Sequence, residues 1–99
     1  MSYSDLLAAE QRLVALRILQ AGNGYSTNES ILRKAMERWG LAISRDALRT
    51  MLGWLAEQGL VTITDVSGYM VAKLTQRGAD VATGVAPVPG VERPGPGAA

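Results

Sequence analysis

The chain has 99 residues, the size of one small domain, with 47% apolar and 19% charged residues, enough apolar content for a modest core and too much for a disordered chain. It contains no Cys and no His, which removes disulfides, thiolate zinc sites, cysteine nucleophiles and the commonest metal ligand and general base. Ten Lys+Arg against nine Asp+Glu give a net charge of +1, so any attraction to nucleic acid or an anionic membrane has to be local. No carboxylate pair has the spacing or base partner that acid–base catalysis needs, and no cofactor or metal motif is visible. The reading is therefore non-enzymatic. With no basic stretch ahead of an apolar run and no apolar run long enough to span a membrane, a cytoplasmic location is expected.

Leu6, Ala9, Leu13, Leu16 and Leu19 recur every three to four residues after Ser4-Asp5, which reads as an N-cap, and the pattern stops at Gly22-Asn23-Gly24. This is a first helix. The glycine pair resembles a fragment of a phosphate loop, but it follows a helix and lacks a Lys-Ser/Thr partner, so it reads as a turn. Tyr25-Ser26 can then form a short strand. Asn28-Glu29-Ser30 matches a glycosylation acceptor and reads instead as a helix start, capped by Thr27 or Asn28. The second helix places Leu32, Ala35, Met36 and Trp39 on one face and stops at Gly40. Trp39 and Tyr25 are expected in the core.

Ser44 caps a third helix, residues 44–58, with Leu48, Met51, Leu52 and Leu55 as its apolar stripe and Gly59 as its left-handed stop. Residues 60–75 alternate with β-branched side chains about Ser67-Gly68 and read as a hairpin. A two-residue turn pairs Val66 with Tyr69 and puts Val61, Ile63, Met70, Ala72 and Leu74 on one face. Thr75 caps a short last helix ending at Gly84. All four prolines lie beyond it, and residues 84–99 contain eight Gly or Pro, so residues 1–84 are expected to be the domain and residues 85–99 a flexible tail.

Helix, helix, helix, hairpin and short helix, with Ser44-x3-Leu48-x3-Leu52-x2-Leu55-Ala-Glu-Gln-Gly59-Leu60-Val61 and then Leu74-Thr75-x2-Gly78, resembles the α+β winged helix-turn-helix domain of MarR-type and ArsR-type bacterial regulators. The resemblance covers roughly residues 6–83. The size and the ending Val88-Pro-Gly-Val-Glu-Arg-Pro94 are also similar to short winged-helix proteins of Mu-like bacteriophages. What this implies is a phage or prophage DNA-binding transcriptional regulator, with the third helix in the major groove and the hairpin as wing. With the leucines inward, Asp46, Arg49, Thr50 and Gly53 face outward and Arg45 lies at the edge. Arg49 is the candidate for bidentate base reading, Thr50 for a base or thymine methyl, Arg45 for a phosphate and Gly53 for close approach, while Ser67, Gly68 and Lys73 represent the wing.

Trp54 stands at the edge of the stripe and is a candidate dimer contact, a homodimer being plausible for so small a core. The charge arithmetic pulls the other way: residues 45–58 and the hairpin each sum to zero, and only the second helix is net positive. That implies few phosphate contacts and a shallow salt dependence. The alternative function is a protein–protein interaction module in phage assembly or host takeover, without DNA binding.

Overall fold

The computed structural model describes residues 2–95. Its elements run α1 (Tyr3–Ala21), a single 3-10 turn (Asn23–Tyr25), β1 (Ser26–Asn28), α2 (Glu29–Arg38), α3 (Arg45–Glu57), β2 (Val61–Val66), β3 (Tyr69–Leu74) and α4 (Gln76–Ala82). This is the α+β winged-helix order. None of these helices is long and apolar enough to cross a membrane.

Each helix begins where a side chain can satisfy its orphan amides. Asn28 Oδ1 accepts from Ile31, Ser44 Oγ from Ala47 and Thr75 Oγ1 from Gly78, at 2.8, 3.1 and 3.0 Å. The cap of α1 lies two residues earlier than Ser4. Ser2 and Asp5 bond each other's backbone amides reciprocally, a capping box that satisfies two donors at once. The apolar stripes converge on one core, in which Leu16, Leu19, Leu32, Met36, Leu48, Leu52, Leu55 and Leu60 are fully buried. Leu6, although in phase with the α1 stripe, is exposed because the helix overhangs the core at that end.

The three strands form one antiparallel sheet in the order β1-β3-β2. Val66 pairs with Tyr69 and Val61 with Leu74, the register expected from a two-residue turn. Ser67 and Gly68 have φ of 53° and 84°, the mirror-image turn that matches strand twist. Gly78 is required by a close approach: a Cβ there would lie inside contact distance of the Leu60 carbonyl and 2.7 Å from Leu74 Cδ1. The glycine of Leu-Thr-x2-Gly thus lets α4 lie directly on the start of the hairpin.

Three expectations are corrected. Trp39 is 53% exposed, because α2 ends at Arg38 and the helical period no longer directs the next side chain; its ring lies beside the Arg17 guanidinium instead. Tyr25 is also exposed, since its φ of 58° closes the turn ahead of β1 and turns the ring outward. The strand therefore starts at Ser26. The third correction concerns the tail. Residues 85–95 fold back along α1, burying Val88 and Val91. The Arg12 guanidinium lies 4.2 Å over the Trp54 ring and donates to the Gly90 carbonyl at 2.8 Å, while the Glu92 amide bonds Ala9 O. Proline and glycine preclude a helix here but not packing, because two valines suffice to anchor an extended segment. Residues 96–99 of the expected tail lie outside the described residues.

Two outcomes test this packing. Ending the chain after Gly84, in a Trp39→Phe background, should shift Trp54 emission to the red and lower the melting midpoint by about 5 °C or more. An unchanged midpoint would mean that residues 85–95 add nothing. Gly78→Ala should cost about 2–3 kcal/mol in urea denaturation, since the Leu60 backbone cannot give way.

Candidate nucleic-acid interface

Arg45 and Arg49 stand four residues apart on α3, so two like charges share one helix face, an arrangement unfavourable by itself. Their counter-ion comes from another element. Glu29, the first residue of α2, is 2% exposed and makes four hydrogen bonds. Its Oε1 accepts from Arg49 Nε at 2.8 Å and Arg45 Nε at 2.9 Å; its Oε2 accepts from Arg49 Nη2 at 2.8 Å and from the Met70 amide. Every lone-pair direction of the carboxylate is used. Arg49 Nη2 also donates to the Gly68 carbonyl at 2.8 Å, reaching the wing turn.

The strand register explains why Met70 is available. β1 ends with Asn28 opposite Val71, so the next amide along β3 would lose its ladder partner where β1 gives way to α2. The Glu29 side chain takes that place. One carboxylate thereby joins the start of α2, the first half of α3 and the wing. The bidentate Arg49 bond holds its pKa down at about 2, against the upward push of burial and with help from Met70 and Arg45. Glu29 in turn raises the pKa of Arg49, against a smaller opposing effect of burial.

The expected site residues fall into three groups. Arg45, Asp46, Thr50, Ser67 and Gly68 are all exposed; Arg45 reaches the wing turn, with Nη2 3.5 Å from the Gly68 carbonyl, whereas Thr50 lies toward α1, beside Ala8 and Arg12. The Arg45 guanidinium centre stands 5.7 Å from the Tyr69 ring, and Thr50 Oγ1 donates to the Asp46 carbonyl at 3.2 Å. Gly53 has no atom within 4 Å of where a Cβ would sit, so that face is open beside it. Lys73 is exposed but sits at the base of the wing, opposite Ser26 and Thr62. Arg49 is half-buried, and its role needs correction: Nε and both Nη2 hydrogens are engaged, leaving only Nη1 for an outside acceptor. A bidentate guanine contact would require breaking the Glu29 pair. Trp54, packed under Arg12 and Gly90, is a core-edge residue and not a bare contact surface.

Glu29 was not among the expected site residues. The signal that could have pointed to it was indirect, the uncompensated Arg45/Arg49 pair.

No protein-family model matches the chain. It is 47% identical over 93 residues to gp26 of Escherichia phage Mu, covering 94% of this chain and 96% of that protein. A Haemophilus influenzae protein is 51% identical over 78 residues, covering 78% of this chain and 76% of its own length. Among solved structures, a MarR family transcriptional regulator from Streptomyces coelicolor is similar with a TM-score of 0.59 and 25% identity over 72% of this chain. The chain spans about half of that regulator, 46% of its length.

The buried pair makes a pH-dependent prediction. A carboxylate whose pKa falls from 4.5 to about 2 on folding adds stability that is complete above 4.5 and lost as the pH falls toward 2. Glu29→Gln should cost on the order of 2 kcal/mol at neutral pH, the worth of hydrogen bonds to a charged group. The gap between the two proteins, followed by urea denaturation, should narrow as the pH falls below about 4.5. A gap that stays constant would show that the charge of Glu29 does not hold the cluster together.

Proposed function

The chain belongs to the family of the phage Mu protein gp26, and we propose that it is a non-catalytic, phage- or prophage-type transcriptional regulator that binds double-stranded DNA in the cytoplasm. The observation that carries this reading is the coupling of α3 to the wing. In a winged helix these are the elements that enter the major groove and touch the flanking backbone, and here Glu29, Arg49 and Gly68 join them. A pre-set angle between them removes ordering entropy from the binding step. Likeness to a MarR family regulator supports the same reading.

Within this reading we propose the following roles. Asp46, and Thr50 through its methyl group and its acceptor lone pairs, are the groups left to meet base edges, with Gly53 permitting close approach, whereas Arg49 acts mainly as a strut. Arg45, more than half exposed and with Nη1 unpartnered among the described residues, supplies attraction to phosphate, and Ser67, Gly68 and Lys73 offer the wing contacts. With so few free cations the salt dependence is shallow. A homodimer remains part of the proposal.

A specific observation favours a second reading, a protein-interaction module. Val66 and Tyr69 pair across the wing tip, and they are 55% and 50% exposed, an apolar pair ready for a protein partner.

Selection from random duplexes, followed by titration at several salt concentrations, separates the two. The regulator reading expects an enriched sequence, a loss of about 1 kcal/mol and relaxed choice at one base pair for Thr50→Ala, and a slope of log K against log salt of only about −2 to −4. Absence of both enrichment and binding at low salt would leave the interaction module as the function.

A further inference from the structure

Beside the Glu29 cluster, the first turns of α2 and α3 and the start of β3 enclose an open hollow of about 190 Å³, lined by Glu29, Ser30, Arg33, Arg45 and Tyr69. Its charges do not cancel. Glu29 contributes one negative charge at the floor, already matched by the bidentate Arg49 pair. Arg45 gives that carboxylate its Nε and reaches the Gly68 carbonyl from Nη2 at a long 3.5 Å, so that Nη1 stays without a partner among the described residues on a side chain that is 57% exposed. Arg33 is exposed and takes part in no ion pair among the described residues. Arg33 and the Nη1 end of Arg45 thus supply guanidinium donors at a hollow also lined by Ser30 and Tyr69, residue types able to serve one tetrahedral oxyanion. No free lone pair of Glu29 opposes it, since all are occupied by donors of the protein itself.

We propose that this hollow is a phosphate-binding site in which Arg33 and Arg45 clamp a phosphodiester of the DNA backbone, deepening and resting on the DNA-binding reading above. Two guanidinium groups on one phosphate fix the register of α3 without reading sequence, which suits a face otherwise near neutral. Arg33, on the side of α2 away from the core, is thereby a DNA-contact residue, and Glu29 is the positioning residue that aims Arg45.

The test uses the full chain labelled with ¹⁵N, titrated with inorganic phosphate and, separately, with non-specific duplex DNA. Both should move the amide signals of Ser30, Arg33, Arg45 and Tyr69 first. Arg33→Gln, which breaks no bond within the protein, should weaken binding to all duplexes alike and lower the salt slope by about one; Arg45→Gln should do the same. Arg38→Gln, on the same helix but outside the hollow, serves as the control and should change little. DNA binding that is unaffected by Arg33→Gln, with phosphate shifts scattered over all basic residues, would overturn the clamp while leaving the regulator reading intact. Phosphate shifts confined to the hollow, with no DNA binding, would support the oxyanion site, overturn DNA as its source and sink the regulator reading. Full binding retained by Arg33→Gln but lost by Arg45→Gln would reduce Arg45 to a structural partner of Glu29 and equally overturn the clamp.

Discussion

The structure turns on one carboxylate. A buried ion is costly unless its geometry is good and its remaining lone pairs are satisfied, and Glu29 meets both conditions with two arginines and a backbone amide. It also solves three local problems at once. Asn28, its neighbour, caps α2, so the carboxylate begins in the first turn of a helix, where negative charge is favoured. The like-charged pair on α3 acquires a counter-ion, and the β3 amide that β1 can no longer reach acquires an acceptor. Hydrophobic packing sets where the helices lie, but a three-stranded sheet with one very short strand does little to fix the angle of a hairpin that projects into solvent. The Glu29–Arg49–Gly68 chain does fix it.

What was legible in the sequence follows from what periodicity can encode. The stripe Leu48, Met51, Leu52 and Leu55 has to face the core because burial and helical period agree, and a slip in hairpin register would have exposed Val61 and Ala72. Gly59 and Gly84 mark their stops for the same reason that any left-handed position does. Trp39 and Tyr25 were misread just where the period ends, at a helix terminus and a turn. The tail was misread for the opposite reason. Its composition argues correctly against regular structure, yet Val88 and Val91 still find apolar surface on α1, and no periodicity announces two isolated anchors.

The site was harder to read than the fold. A helical wheel places Arg49 outward, and it is outward with respect to the α3 core stripe; but that direction, within the tertiary fold, leads to α2 and the wing. An outward cation is free only if no other element brings a carboxylate to it, and that information lies 20 residues away in sequence. The same arithmetic that summed residues 45–58 to zero therefore misjudged the surface in both directions. It counted Arg49 as free, and it missed that Arg33 joins Arg45 at one hollow from a different helix.

Charge on such a small fold is best weighed by who holds whom. With Arg49 committed to Glu29, Arg45 on α3 and Arg33 on α2 are cations still open to solvent beside the cluster, with Asp46 also exposed on α3. On the proposed DNA-binding reading, a near-neutral face of this kind cannot rely on a broad electrostatic field to hold a polyanion, so rigidity would carry more of the affinity. A pre-set angle between helix and wing loses little entropy on docking, and a clamp on one phosphate is worth more when the groups that form it are already in place. On that reading, loosening Glu29 would weaken binding without removing any proposed contact to the nucleic acid, because the wing and Arg45 would each have to be ordered anew.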